Sequence, residues 1–196
     1  LNTGGMGAVS PVPYVDAVLM EKIETRIVKP TIDGFQKDGI PYKGFVFIGL
    51  INVNNEPIVI EYNVRMGDPE SEVVIPRLKT DLVELFLAVA KEKLDEITLE
   101  IDERSATTIM LVSGGYPEDF EKGKIISGLE TIEDSIVFHA GTKLDNGNVV
   151  SNGGRVLTVT SYGNDFEEAI KKSYQNIDKL NFDKMYFRKD IGNDLK

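Results

Sequence analysis

Residues 58–70 of the chain read Ile58-Val59-Ile60-Glu61-Tyr62-Asn63-Val64-Arg65-Met66-Gly67-Asp68-Pro69-Glu70. Apolar and polar residues alternate through the first half, which is the pattern of a β-strand. One predicted face, expected to be core, carries Ile58, Ile60, Tyr62, Val64 and Met66. The opposite face carries Glu61, Asn63 and Arg65.

The polar face of this strand has the residue types of a metal and phosphate site. A carboxylate and an amide oxygen two residues apart on a strand can point at one hard cation, and an arginine next in the row can hold a phosphate. An edge strand whose polar face simply lies in water has the same pattern. Both interpretations of Glu61, Asn63 and Arg65 are open at this point.

The composition is that of a globular protein with an acidic surface. The chain has 196 residues, 41% hydrophobic and 28% charged, which suggests one or two domains. A net charge of -10 argues against nucleic acid or an anionic membrane as partner, because both need clustered cationic side chains. No apolar run is long enough to cross a bilayer and no signal peptide is visible, so we expect a cytoplasmic protein.

Cysteine and histidine content limits the chemistry. There is no cysteine, so disulfides, thiolate metal sites and cysteine nucleophiles are excluded. The single histidine, His139, excludes a multi-histidine metal site and weakens the case for a hydrolase triad.

The chain opens on a glycine-rich segment, residues 1–7, without an initiating methionine. A loop of this kind is normally held by scaffold on both sides, so we expect further residues upstream. The glycines allow close approach of the backbone to a ligand, although an ordinary flexible loop fits equally well. The candidate ligand-binding residues of this loop are Thr3, Gly4, Gly5, Met6 and Gly7.

The first half of the chain predicts helices around a hairpin. Apolar residues recur at helical spacing from Asp16 to about Phe35, and Pro30 should kink or split that helix near Lys29. Asn54-Asn55 predicts the turn of a hairpin whose return strand carries Glu61. A second helix is predicted from Asp81 to about residue 94, with Asp81 as its cap.

The second half predicts a separate β-rich module. Short strands punctuated by glycine begin near residue 98, and Asn146-Gly147 is a strong hairpin signal. Two bends on either side of that hairpin, at Gly141–Lys143 and Asn152–Arg155, place a cation beside glycine and could bind an anion. Ordinary surface turns explain them as well. The candidate anion-binding residues are Asn152, Gly153, Gly154 and Arg155.

Seven motifs in order resemble the glycinamide ribonucleotide synthetase family, also called phosphoribosylamine-glycine ligase. They cover essentially the whole chain: residues 2–7, 42–45, 61–70, 113–117, 139–143, 152–156 and 186–192. The resemblance implies an ATP-grasp enzyme of purine biosynthesis that joins glycine to 5-phosphoribosylamine as ATP is cleaved to ADP and phosphate, through an acyl phosphate of glycine. It also implies that Glu61 and Asn63 bind Mg²⁺ or Mn²⁺, and that Arg65, the Thr3–Gly7 loop and the Asn152–Arg155 bend line the same cleft. Arg65 is the candidate catalytic residue, unless it forms a structural ion pair with Asp68 or Glu70.

The fold class implied is α+β. Residues 1–97 are expected to be the C-terminal lobe of an ATP-grasp domain, an antiparallel sheet with packed helices. Residues 98–196 are expected to be a small C-terminal domain, like a β-barrel or sandwich, with a helix. The substrate domain and first ATP-grasp lobe of the family are not in this sequence, so we expect the chain to need that N-terminal part and to be inactive alone.

Two other functions are compatible with the motifs. One is a different ATP-grasp carboxylate-amine ligase, because the Glu-x-Asn strand is common to many of these enzymes. The other is a non-catalytic binding or structural module in which the glycine-rich segments are ordinary turns.

Overall fold

In the computed structural model, residues 3–195 are described. Their contacts divide into two compact units. We call residues 12–67 and 80–100 the hairpin unit, and the described residues 3–11, 68–79 and 101–195 the sheet unit. Antiparallel sheets with packed helices confirm the predicted α+β class.

The strands are β1 Gly7–Ser10, β2 Phe47–Val53, β3 Glu56–Asn63, β4 Ser105–Val112, β5 Ser135–His139, β6 Thr142–Asp145, β7 Asn148–Ser151 and β8 Arg155–Gly163. The α-helices are α1 Ala17–Ile23, α2 Lys29–Lys37, α3 Ser71–Val74, α4 Leu82–Ala90 and α5 Phe166–Ile177.

The hairpin unit is built on β2 and β3, which pair antiparallel. Asn54 and Asn55 make the turn with φ of 53° and 61°, a backbone region that asparagine tolerates. The hairpin predicted at this position is therefore confirmed. Within this unit, α1 packs on β3.

Local sequence signals set the helix boundaries of the hairpin unit. The carboxylate of Asp16 caps α1 by accepting from the Leu19 amide at 2.8 Å. Pro30 lies in the first turn of α2, and the preceding Glu24–Val28 segment is π-helical. The backbone stays helical at Val28 and Lys29, so the structure has a change of helix type before Pro30 and not the predicted split. Asp81 caps α4 as predicted, but α4 ends at Ala90, earlier than expected.

The apolar face of β3 is not core, contrary to the expectation from its alternation. Ile60 is 65% exposed and Val64 is 70% exposed. Strands β2 and β3 form a sheet of only two strands, and this unit does not supply enough apolar surface to cover both faces of that sheet. The alternation of apolar and polar residues therefore did not predict whether this face is buried.

The sheet unit contains a four-stranded antiparallel sheet in the order β1-β4-β8-β5, together with the β6–β7 hairpin. Helix α5 packs on β8 and β4, and Asp165 caps it by accepting from the Glu168 amide at 2.8 Å. The core between helix and sheet includes Ile109, Leu157 and Ile177, none of which is exposed. This β-rich module with one packed helix holds the glycine loop at its edge, because β1 continues that loop and pairs with β4.

The chain passes from the hairpin unit to the sheet unit between Glu100 and Ile101, near the predicted domain boundary. Residues 3–11 and 68–79 also belong to the sheet unit, although they precede that boundary in sequence. The division into domains 1–97 and 98–196 stays a prediction.

Candidate functional site

The two predicted metal ligands lie side by side on β3. The Asn63 amide Nδ2 donates a hydrogen bond to Glu61 Oε1 at 3.0 Å. Across the hairpin, Glu61 pairs with Gly49 and Asn63 pairs with Phe47. A Cβ at Gly49 would lie 3.1 Å from Glu61 Cγ, so the glycine leaves room for the glutamate side chain.

A β-bulge interrupts the ladder beside this pair. Leu50 pairs with Val59 and Gly49 pairs with Glu61, so Ile60 is an extra residue on β3. Bulges are over-represented next to active sites, where they re-aim side chains. The bulge therefore adds a local reason to regard Glu61 and Asn63 as a site.

The donor types of this pair fit a hard divalent cation. Mg²⁺ takes oxygen ligands and usually combines one or two protein carboxylates with water and substrate phosphates. Across residues 3–195, no group of three or more His, Cys, Asp or Glu side chains forms a closed metal cage. Glu61 and Asn63 are thus a partial ligand set that phosphate and water oxygens would complete.

Arg65 follows β3 and is exposed. Its Nη1 donates to the Met66 carbonyl at 3.3 Å, and among the described contacts it has no hydrogen bond to Glu61 or Asn63. The strand end is held instead by Tyr42, whose hydroxyl contacts the carbonyls of Phe45 at 2.7 Å and Val64 at 3.2 Å. This gives the Tyr42–Phe45 motif a positioning role that the sequence did not indicate.

The glycine loop belongs to the sheet unit. Residues 3–7 lead into β1, and Asn2 of the predicted motif lies outside the described residues. Met6 is buried, and its carbonyl accepts from the Met110 amide at 3.0 Å. Gly5 has φ of +77°, a conformation that strongly favours glycine, whereas Gly4 has open space around it.

The two predicted anion-binding bends pack against each other. The Asn152 amide donates to the Gly141 carbonyl at 2.7 Å, and the Gly141 amide donates to the Arg155 carbonyl at 2.9 Å. A Cβ at Gly141 would lie 2.7 Å from the Gly153 Cα, and a Cβ at Gly154 would lie 2.3 Å from the Tyr116 ring. These glycines therefore allow close packing between the two bends, a role that the spacing of the motifs does not indicate.

Arg155 connects three of the sequence motifs within the sheet unit. Its guanidinium contacts both carboxylate oxygens of Asp68, at 2.8 Å and 2.9 Å, and donates to the Asp68 carbonyl at 3.0 Å. A Cβ at Gly5 would lie only 2.6 Å from Arg155 Nη1. The glycine loop, the Asp68 turn and the Asn152–Arg155 bend therefore meet at one guanidinium.

Glu72 is a charged residue near this junction that sequence reasoning missed. Burial raises the pKa of its carboxyl, and the nearby negative charge of Asp68 adds to that effect. Its Oε2 is buried and has no hydrogen-bond partner among the described residues. Glu72 lies on the short helix α3, directly after the Asp68-Pro69-Glu70 motif. This position is the sequence signal that could have marked it as a candidate residue.

Among the described residues, no helix has the length and apolar character that crossing a membrane requires.

Comparison with known proteins identifies matches along most of the chain. Residues 1–71 match the family model for the ATP-grasp (A) domain of phosphoribosylglycinamide synthetase. Residues 106–194 match the model for the C domain of phosphoribosylglycinamide synthetase.

Individual relatives agree with these matches. A phosphoribosylamine-glycine ligase of Escherichia coli O157:H7 is 47% identical over 97% of this chain and 46% of its own length. A bifunctional purine biosynthetic protein of Pichia angusta is 47% identical over 98% of this chain and 25% of its own length. The crystal structure of a phosphoribosylamine-glycine ligase from Thermotoga maritima superposes with a TM-score of 0.81 at 35% identity, covering 97% of this chain and 47% of that one.

The chain thus spans about half the length, or less, of the curated relatives that it matches. Two models of one family match residues 1–71 and 106–194, and a solved structure from that family has the same fold. The chain belongs to the phosphoribosylglycinamide synthetase family of ATP-grasp proteins.

Proposed function

We propose that the chain forms part of an ATP-dependent ligase that joins glycine to 5-phosphoribosylamine in de novo purine biosynthesis. The observation that carries this proposal is the adjacent Glu61 and Asn63 pair beside a β-bulge, in a chain that matches the family along most of its length. The names of the relatives support the same reaction.

We propose that Glu61 and Asn63 hold Mg²⁺ or Mn²⁺, together with phosphate oxygens of ATP. When bound, the metal would neutralise phosphate charge and so favour phosphoryl transfer. Asn63 now directs its Nδ2 toward Glu61. Its amide would have to turn to present Oδ1, so metal binding would replace the hydrogen bond between the two side chains.

The reaction requires no side-chain nucleophile. The carboxylate of glycine attacks the γ-phosphorus of ATP and ADP leaves, which gives glycyl phosphate. The amine of 5-phosphoribosylamine then attacks the glycyl carbonyl, and phosphate and one amine proton leave as the amide bond forms. The protein supplies positioning and electrostatic stabilisation, which agrees with a chain that has no cysteine.

We assign supporting roles to the remaining predicted residues. Arg65 would bind a phosphate or carboxylate of the reactants through its exposed guanidinium. The Thr3–Gly7 loop and the Asn152–Gly154 bend would contact substrate through backbone groups, because their glycines allow close approach. Arg155 would act mainly by holding Asp68 and the glycine loop in place, since Asp68 already occupies its guanidinium.

The complete activity would need a further part of the same enzyme, because the curated relatives are about twice as long as this chain or longer. We propose the cytoplasm as its location and small molecules, rather than nucleic acid or membrane, as its ligands. Residues 1–97 and 98–196 would be its two domains. The chain alone is expected to form no glycinamide product from ATP, glycine and phosphoribosylamine, and detectable ligation would overturn this.

Mn²⁺–ATP binding to the 196-residue chain, followed by electron paramagnetic resonance, tests the metal site directly. Glu61→Gln and Asn63→Ala should each weaken binding by about tenfold or more, because the first replaces a charged carboxylate with a neutral amide and the second removes an oxygen ligand. Glu56→Gln, which removes another exposed carboxylate from β3, is the matched control and should change affinity by less than about twofold. Unchanged affinity in both site variants would remove Glu61 and Asn63 from the metal site.

A further inference from the structure

The open end of the β2–β3 hairpin lies directly beside the proposed metal ligands. The ladder between the two strands ends at the pair of Phe47 and Asn63, and Glu61 lies two pairs farther in. The last pair of a ladder has a neighbouring pair on one side only, so it frays more easily than the pairs inside. Asn63 is therefore the ligand whose position depends most on what lies beyond the ladder.

The Tyr42 hydroxyl supplies a contact at this place. It lies 2.7 Å from the Phe45 carbonyl, which precedes β2, and 3.2 Å from the Val64 carbonyl, which follows β3. A phenol has a single proton to donate, so the two carbonyls share it. Because these carbonyls belong to the two sides of the hairpin, the hydroxyl joins the strands just beyond the pair that contains Asn63.

Two ring contacts hold the Tyr42–Phe45 motif against helices of the hairpin unit. The Tyr42 ring lies beside the Phe35 ring of α2, with centroids 6.2 Å apart. The Phe45 ring meets the Phe86 ring of α4 edge-on, with centroids 6.0 Å apart. Aromatic pairs at these separations stabilise a fixed arrangement. The hydroxyl is thus presented by a segment that is anchored on two helices.

Gly44 leaves room for this hydroxyl. Its φ is +140°, a conformation that favours glycine, and a Cβ there would lie 3.0 Å from Tyr42 Oη. An alanine at this position would crowd the hydroxyl without removing it. Gly44 therefore offers a second way to disturb the same contact.

We propose that Tyr42 is a positioning residue of the metal site. Its hydroxyl closes the open end of the hairpin and holds the Asn63 side chain where its amide can meet a cation shared with Glu61. Tyr42 acts through the backbone of the strand and not as a ligand. The inference rests on the proposed function, because Asn63 is a metal ligand only there.

Mn²⁺–ATP binding to the 196-residue chain, followed by electron paramagnetic resonance, tests the role of the hydroxyl. Tyr42→Phe should weaken binding about three- to tenfold, the range expected for one lost hydrogen bond. Tyr62→Phe is the matched control, because it removes a hydroxyl that contacts Thr31 at 3.0 Å, on the face of β3 opposite Asn63. This control should change the affinity by less than about twofold. Equal weakening in both variants would assign the effect to general strand stability and refute the proposal.

A positioning role also predicts which ligand carries the effect. Tyr42→Phe should weaken binding further when combined with Glu61→Gln, and should add little to Asn63→Ala, because the hydroxyl acts through Asn63. Gly44→Ala should show the same dependence on the second substitution. An equal additional loss in both combinations would contradict the assignment.

A measurement without metal separates this inference from the metal site. Asn63 Nδ2 donates to Glu61 Oε1 at 3.0 Å, and its side-chain signal in a proton–nitrogen correlation spectrum is identified by its absence from Asn63→Ala. Tyr42→Phe should move this signal toward that of a solvated asparagine, and Tyr62→Phe should move it much less. An unchanged signal in Tyr42→Phe would overturn the proposal. If the wild-type chain does not bind Mn²⁺–ATP, the metal site fails, and the spectra still decide whether Tyr42 positions Asn63.

Discussion

Arg155 contacts both carboxylate oxygens of Asp68 and also donates to the Asp68 backbone carbonyl. The two residues are 87 positions apart in the chain. A planar guanidinium facing a carboxylate in this way adds geometric specificity to a charge-assisted interaction. The pair therefore fixes the start of the Asp68-Pro69-Glu70 turn against the strand that begins at Arg155.

This pair should contribute measurably to stability despite its partial exposure. The side chains of Arg155 and Asp68 are 27% and 53% exposed, so solvent screening reduces the coupling. In a double-mutant cycle with Arg155→Gln and Asp68→Asn, we expect a coupling energy of about 1 kcal/mol in urea unfolding. Additive effects of the two substitutions would show that the contact does not stabilise the fold.

Gly5 and Gly4 should differ sharply in their tolerance of a methyl group. Gly5→Ala places Cβ 2.6 Å from Arg155 Nη1 at a residue with φ of +77°, whereas a Cβ at Gly4 meets nothing within 4 Å. We expect Gly5→Ala to lower the unfolding free energy by about 1–2 kcal/mol and Gly4→Ala to change it by less than about 0.5 kcal/mol. Urea denaturation of both variants makes the comparison, and equal stabilities would contradict it.

Glu72 should reduce stability at neutral pH. Burial raises the pKa of its carboxyl in the folded state above that of an exposed glutamate. A carboxyl whose pKa is higher in the folded than in the unfolded protein favours folding at pH values below its unfolded pKa. This contribution to stability is lost as the pH rises through the folded pKa. Glu72→Gln should therefore stabilise the protein at pH 7 relative to wild type, with a smaller gain near pH 4.

The measurement is the difference in unfolding free energy between Glu72→Gln and wild type across that pH range. Glu118→Gln, an exposed position, controls for the general loss of one negative charge. A difference for Glu72→Gln that is independent of pH would assign its effect to packing rather than to ionisation.

The turn of the β2–β3 hairpin should depend on the residue at position 55. Asn55 has φ of 61°, so Asn55→Ala should destabilise the hairpin unit by about 1 kcal/mol, because a Cβ without a compensating side-chain hydrogen bond disfavours this region. Asn55→Gly should be as stable as wild type or more stable, since Asn-Gly is a favoured pair in such turns. Thermal unfolding compares the variants, and an alanine variant as stable as the glycine variant would contradict the argument.

Local sequence signals predicted much of the fold because they act over a few residues. Asp81 caps a helix through its own side chain, and Pro30, which lacks an amide donor, follows a π-helical segment. Asn54-Asn55 and Asn146-Gly147 produce turns because they tolerate positive φ. The burial of β3 could not be predicted in this way, because it depends on what packs against the strand.

For the candidate site, the sequence by itself determined that Glu61 and Asn63 are neighbours, because residues two apart on a strand share a face. Only the tertiary structure decided that Arg155 holds Asp68, that Gly5 makes room for this pair, and that residues 113–117 and 186–192 border one cavity. These relationships join residues far apart in the chain. Strand pairing and close glycine packing bring them together, and neither is encoded in the spacing of any single motif.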